Sequence, residues 1–212
     1  VNQLFQEENV SVGSFLSPYI LSYNEQISTN NESIANKSFT DLSNEILNTA
    51  STLNIKIHSI DLLSMLSLMY FKNSQSDVAV MEISENINWH PLEICSPKIT
   101  AITRVTIDDN NVPHESVSNA IDSALKFVKP GTFVISADQS KLNLKVMQER
   151  VEKIQGSWLM PIRKLANLPY PFEQLHGRSA ALAERLAQTY MDNFITKEAA
   201  FISKSLLVKP KG

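Results

Sequence analysis

Short apolar runs alternate with longer stretches of helical spacing along this chain, and that alternation limits what it can fold into. Residues 10–15 alternate apolar and small side chains and read as a strand, which Ser17-Pro18 breaks. Residues 77–83 form a short apolar run with a carboxylate near its end, the pattern of a buried strand. Residues 98–107, 133–136 and 158–162 read as further strands. Between them lie helical stretches. Ser38 is placed to cap a helix that carries Phe39, Leu42, Ile46, Ala50 and Leu53. Ser59 is placed to cap a second, over 60–71, that is apolar nearly all round. Val117, Ile121, Ala124, Leu125 and Val128 keep helical spacing. So do Leu142, Val146, Met147, Val151 and Ile154, then Leu182, Leu186, Tyr190 and Phe194 in a helix expected over 178–194. Residues 4–8 read as a helix end, 24–36 as a polar loop, and 129–132 as a turn. Strands alternating with helices predict an α/β fold with a mainly parallel sheet flanked by helices on both faces.

Composition narrows the function. The chain has 212 residues, enough for one sizeable α/β domain that buries roughly 70% of its unfolded surface without staples. The net charge of −3 disfavours a dedicated nucleic-acid binder. The single cysteine, Cys95, cannot close an intramolecular disulfide or supply a cysteine-rich zinc site, so a reducing, intracellular compartment (cytoplasm or organelle matrix) is expected. The most apolar stretch, 60–71, is interrupted by Asp61, Ser64 and Ser67, so no membrane span is expected. The chain opens on Val1, with no basic region or small-residue cleavage site after it, which reads as a fragment or processed product without a signal peptide. Only five glycines occur, and backbone needs glycine to approach phosphate closely.

In parallel sheets, ligands gather at the carboxyl ends of strands. Three polar groups fall at predicted strand ends: Ser17, Glu82 and Asp108-Asp109.

These same residues carry a resemblance. Gly13-Ser14-Phe15-Leu16-Ser17-Pro18-Tyr19-Ile20, followed by Asn24-Glu25-Gln26-Ile27, resembles the Gly-Leu-Phe-Thr-Ser-Pro-His-Leu and Asn-Glu-Arg-Ile segments of folylpolyglutamate and dihydrofolate synthases, members of the Mur ligase superfamily. Asp77 to Ile83 is similar to the family strand that ends in Glu. Ser96-Pro97-Lys98-Ile99-Thr100 is similar to the next strand, and Asp108-Asp109 stands where the family has Asp-His. Lys129-Pro130-Gly131-Thr132 matches a family turn, and the pieces keep order and spacing. The resemblance implies the Mur-type central domain, partial over 1–194, with a basic and apolar tail over 195–212.

It implies a reaction as well. In the family, a P-loop and Mg²⁺ hold ATP, ATP phosphorylates a folate carboxylate, and the amine of glutamate attacks the acyl phosphate to form an amide. The family's magnesium ligands fall on Ser17, Glu82 and Asp109, and an Asp replaces a His as a hard oxygen donor. ATP and Mg²⁺ are therefore implied by resemblance only. The chain departs from the pattern elsewhere. No Gly-x-x-x-x-Gly-Lys-Ser/Thr occurs, and the family's P-loop falls upstream of Val1. The glycine-rich segment after the strand Glu is here Ser84-Glu85-Asn86-Ile87-Asn88-Trp89-His90. The family's modified lysine falls on Ala124, two positions from Lys126, and its Arg falls on Gln26. The short tail over 195–212 is expected to stand in place of the family's C-terminal domain.

Plainer readings stand beside each candidate. A Ser-Pro turn and strand-end carboxylates account for Ser17, Glu82 and Asp109 without metal. His90 reads as a loop histidine. His58, Ser59 and Asp61 sit together at a helix start, where capping explains Ser59 better than a triad. His176-Gly177-Arg178 reads as a helix-entry turn rather than a nucleotide contact, Cys95 as an inert buried thiol, and Glu149-Arg150 with Glu152-Lys153 as a solvated helix face. Lys197, Lys204, Lys209 and Lys211, interleaved with Ile202, Leu206, Leu207 and Val208, read as a tail that docks on a protein. No residue is assigned a catalytic role, and no nucleotide or substrate contact is assigned. The expectation is a folylpolyglutamate synthase-like protein, inactive as this chain, that binds a protein partner, a second copy or a folate-like ligand. The rival is a fragment of an active ATP-dependent ligase.

Overall fold

The structure is a computed structural model, and it describes residues 1–83, 90–105, 114–159 and 174–195. It divides into two compact units, Asn2–Ile94 and Cys95–Gly212, the latter with Val1.

In the first unit, α1 (Asn2–Glu7) leads to β1 (Val12–Phe15), the chain passes β2 (Ile27–Thr29) and β3 (Glu32–Ser33), then α2 (Asn36–Thr52) and α3 (Ser59–Asn73), and returns as β4 (Val78–Met81). The strand order is β3-β2-β1-β4. β1 runs parallel to β4, with Phe15 opposite Met81, and antiparallel to β2, with Phe15 opposite Ile27. The sheet is thus mixed rather than parallel throughout. Every residue of β1 is buried, as a central strand covered on both faces requires. Gly13 is needed there: a Cβ would lie 2.4 Å from the ring of Phe71 on α3.

The polar stretch 24–36, expected to be a loop, contains a hairpin. Asn30 and Asn31 take positive φ values of 51° and 67°, the two-residue turn that matches strand twist, and Asn tolerates it best after glycine. Asn30 also accepts the Val12 N–H on its Oδ1 at 2.9 Å, which ties the turn to the start of β1. Composition hid the hairpin because its outer strand is exposed and polar.

α2 starts at Asn36, so Ser38 lies inside the first turn and does not cap it. Leu42, Ile46 and Ala50 face inward as expected, whereas Leu53 ends the helix in solvent. α3 begins after His58, whose N–H is accepted by Asp61 Oδ2 at 3.2 Å, so the capping group is Asp61 and not Ser59. β4 lies at the sheet edge and buries only Val78 fully, less than the continuous burial expected.

The second unit is more regular. β5 (Ile99–Ile102), β6 (Phe133–Ser136) and β7 (Ser157–Trp158) form a parallel sheet in that order, with α4 (His114–Ala124) and α5 (Lys141–Lys153) as crossovers and α6 (Gln174–Phe194) after it. Adjacent residues of a strand face opposite sides. Val134 accordingly joins Ile102, Ile121, Leu125, Met147 and Val151 under α4 and α5, and Ile135 joins Ala137 and Leu182 under α6. The result is the expected layering, helices on both faces of a parallel sheet. Leu142, expected inward on α5, is 52% exposed. Arg150, expected in solvent, donates to Ser118 O at 2.8 Å and pairs with Asp122 at 2.6 Å, joining α5 to α4. α6 begins four residues earlier than expected, so Gly177 and Arg178 lie inside the helix and form no entry turn. Among the described residues no helix is long and apolar enough to cross a membrane.

Candidate functional site

Because β1 and β4 are parallel neighbours in register, the chain leaves both at the same edge of the sheet. Glu82 N–H donates to Phe15 O at 2.8 Å, extending the ladder one step past β4. The Glu82 carboxylate is then level with the turn after β1, and its Oε2 accepts the Ser17 N–H at 3.3 Å. Two of the three residues singled out in the sequence, 65 positions apart, therefore meet at the carboxyl end of the sheet, as the parallel arrangement demands.

The loop beyond Ser17 is held rather than loose. Ser17-Pro18 is a cis peptide bond. Leu16 N–H donates to Gln26 O at 2.8 Å across the base of the loop. Glu25 Oε2 accepts the N–H groups of Ile20 and Leu21, each at 3.1 Å. These backbone hydrogen bonds, Leu21 first and Ile20 next, hold the Glu25 carboxyl below its ordinary range. The rings of Tyr19 and Tyr23 stand 4.4 Å apart, and the hydrogen bond to Tyr23 pushes the Tyr19 hydroxyl up. Gln26 is 4% exposed, and its Oε1 has no hydrogen-bond partner among the described residues.

Asp109, the third candidate, and its neighbour Asp108 lie outside the described residues. β5 ends at Ile102, short of the strand expected from 98 onward, and residues 103–105 run as coil. Among the described residues, no three of His, Cys, Asp and Glu gather to hold a metal. The Glu82 carboxylate and the Ser17 hydroxyl are hard oxygen donors at an exposed strand end. That donor chemistry fits a magnesium ion, which keeps several waters and needs few protein ligands.

Other candidates resolve more plainly. Ala124 ends α4 half-buried against the core under that helix. Lys126 extends over the adjacent ring of Phe127 at 5.7 Å. His90 opens a 3₁₀ turn, His90–Ile94, and residues 84–89 lie outside the described residues, as does the lysine-rich segment 196–212. Cys95 is partly buried, and desolvation pushes its thiol up despite the charge of Lys129, so it is not a reactive thiolate.

Asp138 was not foreseen. It follows β6, is 1% exposed, and accepts from Val105 N–H at 3.0 Å, Ser140 N–H at 2.8 Å and Asn143 Nδ2 at 3.1 Å. The one available signal was Ser140-x-x-Asn143 after an Asp, a helix start with a polar first turn.

No family model matches the chain. A dihydrofolate synthase/folylpolyglutamate synthase of Bacillus subtilis (strain 168) is 22% identical over 158 residues, 72% of this chain and 37% of that protein. A folylpolyglutamate synthase of Lacticaseibacillus casei is 20% identical over 182 residues, 84% of this chain and 42% of that protein. Among solved structures, Mycobacterium tuberculosis folylpolyglutamate synthase complexed with ADP and AMPPCP matches 99% of this chain and 55% of its own, with a TM-score of 0.78 at 13% identity. The chain has the folylpolyglutamate synthase fold. A folylpolyglutamate synthase complex with AMPPCP and folate agrees, with a TM-score of 0.77 at 17% identity over 90% of this chain and 54% of that one. The Mur ligase-type resemblance read from the sequence is thus matched in three dimensions by folylpolyglutamate synthase structures. The chain spans about two fifths of the length of the curated relatives it matches.

Proposed function

We propose that this chain is a degenerate folylpolyglutamate synthase-like protein that binds a partner and forms no amide bond by itself. The observation that carries the reading is Ala124. It stands where the resemblance puts the modified lysine, and its methyl group packs against the core of the second unit. Truncation removes flanks but cannot place an alanine there. The sequence adds one internal support: residues 84–90, where the resemblance puts a glycine-rich segment, contain no glycine.

Within this reading, Glu82 and Ser17, with Asp109, hold a hydrated magnesium ion weakly. The ion supplies neutralisation of phosphate charge where phosphate is present. A folate-like ligand and an intracellular location belong to the same reading. Solved folylpolyglutamate synthase structures are complexes with AMPPCP and folate or with ADP and AMPPCP, and a lone cysteine suits a reducing compartment.

A second reading is favoured by coverage. The relatives are more than twice as long as the matched region, so the chain is also what a piece of an active ATP-dependent ligase adding glutamate to folate would look like.

Calorimetry with Mg-ATP, followed by an assay for glutamate ligation to a folate, separates the two. No nucleotide binding and no product are expected. Micromolar binding of Mg-ATP, or ATP-dependent amide formation by this chain, overturns the proposal.

A further inference from the structure

Charge is divided unevenly between the two units. Residues 2–94 hold eleven acidic and three basic side chains, a formal −8, whereas the rest hold eleven acidic and sixteen basic, a formal +5. The first 36 residues contain no Lys, Arg or His at all. On this acidic half, the loop after β1 shows Ile20 and Leu21 at 86% exposure each, with Leu16, Tyr19 and Tyr23 each more than 40% exposed beside them.

Scattered exposed apolar residues are ordinary, but this is a contiguous set within eight positions. It is also presented by design. Glu25 fixes the backbone at Ile20 and Leu21, Gln26 O closes the base, and Glu82 holds Ser17. A loop with no role in contact would gain by folding those side chains inward or by carrying polar ones. Glu25 and Glu82 border the patch, so an anionic lipid surface or a polyanion is repelled from it. The chemistry that fits is apolar and cationic together.

The chain contains a segment of that chemistry. Residues 196–212 carry Lys197, Lys204, Lys209 and Lys211 against the single acid Glu198, interleaved with Ile202, Leu206, Leu207 and Val208. We infer that the Leu16–Tyr23 loop docks the 196–212 segment of a second copy of this chain, apolar side chains meeting Ile20 and Leu21 while lysines face Glu25. This deepens the binding role proposed above by naming its surface and its partner, and it rests on that reading. Its energetics follow from the parts: apolar burial sets affinity, and charge sets encounter rate and salt dependence.

The test uses the full chain in sedimentation velocity and light scattering. Concentration-dependent self-association is expected at low salt, weakened at high salt as screening shortens the reach of the charges. Ile20→Ser with Leu21→Ser, solvent-exposed changes that leave the fold intact by circular dichroism, is expected to weaken association at least about tenfold. Lys204→Glu with Lys209→Glu and Lys211→Glu is expected to do the same. Mixing the loop variant with the tail variant restores a hetero-associated species, because each supplies the surface the other lacks. A wild-type chain that stays monomeric overturns the inference. So does association indifferent to the loop or tail changes, and so does loop-dependent binding to lipid vesicles by a monomer. Mg-ATP calorimetry on the same samples keeps the two proposals apart: nucleotide binding counts against the degenerate reading and leaves the association result standing.

Discussion

The ring of Phe71 occupies the place where a side chain on Gly13 would begin. Its Cγ and Cδ1 lie 2.4 Å from the position of a Cβ there. Both residues are buried at the centre of the first unit, so neither the helix nor the strand can yield without moving the other. Gly13→Ala is therefore expected to cost about 2–3 kcal/mol by overpacking. Chemical denaturation measures it. The Gly13→Ala, Phe71→Leu double variant is expected to cost less than the two single changes summed, since the smaller side chain makes room.

Asp138 supports the second unit in a different currency, hydrogen bonds. Its carboxylate collects donors from the segment after β5, from the turn after β6 and from α5. Asp138→Asn turns one acceptor into a donor that faces donors already there. A loss of about 2–4 kcal/mol is expected, read by thermal or urea unfolding. Asn143→Ala removes one donor and leaves the carboxylate two, so its cost is expected to be smaller.

What was legible in the sequence was whatever side-chain periodicity encodes. Strand β6 is legible at its observed bounds because three consecutive apolar residues, Phe133, Val134 and Ile135, follow a Pro-Gly turn and give way to Ser136. The meeting of Ser17 and Glu82 was legible because parallel strands align their ends. The hairpin turn at Asn30-Asn31 was not, since two asparagines in left-handed backbone have the composition of any loop. Asp138 was hidden for another reason. A buried carboxylate is stable only when its donors converge, and those come from residues 33 positions upstream and five downstream. Arg150 was assigned to solvent because helical spacing places it beside charged neighbours, while the acceptors that hold it belong to another helix.

That link between helices is itself testable. Arg150 reaches the Ser118 carbonyl at 2.8 Å and Asp122 at 2.6 Å from a side chain only 23% exposed. Arg150→Ala is expected to destabilise by about 1–2 kcal/mol. Arg150→Lys recovers less than half, because an ammonium cannot serve both acceptors with a planar fork. Asp122 is 61% exposed, so Asp122→Asn is expected to cost under about 1 kcal/mol. Unfolding curves for the three variants rank them in that order.

Glu25 makes the loop after β1 sensitive to acid. Its carboxyl is held below the ordinary range by the backbone N–H groups it accepts, so the ionised form favours the closed loop. The linkage has one sign. The contribution is fully present above the carboxyl's unfolded value, about 4.3, and is lost as pH falls through the lower folded value. Amide exchange at Ile20 and Leu21, followed by NMR, should therefore stay slow from neutral pH down through the ordinary carboxylate range and accelerate, beyond the intrinsic pH dependence, only below it. Glu25→Gln keeps an oxygen acceptor but loses the charge. Its two amides should exchange faster than wild type at neutral pH, with no acid transition. Slow, wild-type-like exchange in that variant would show that the backbone alone holds the loop and that the carboxylate is incidental.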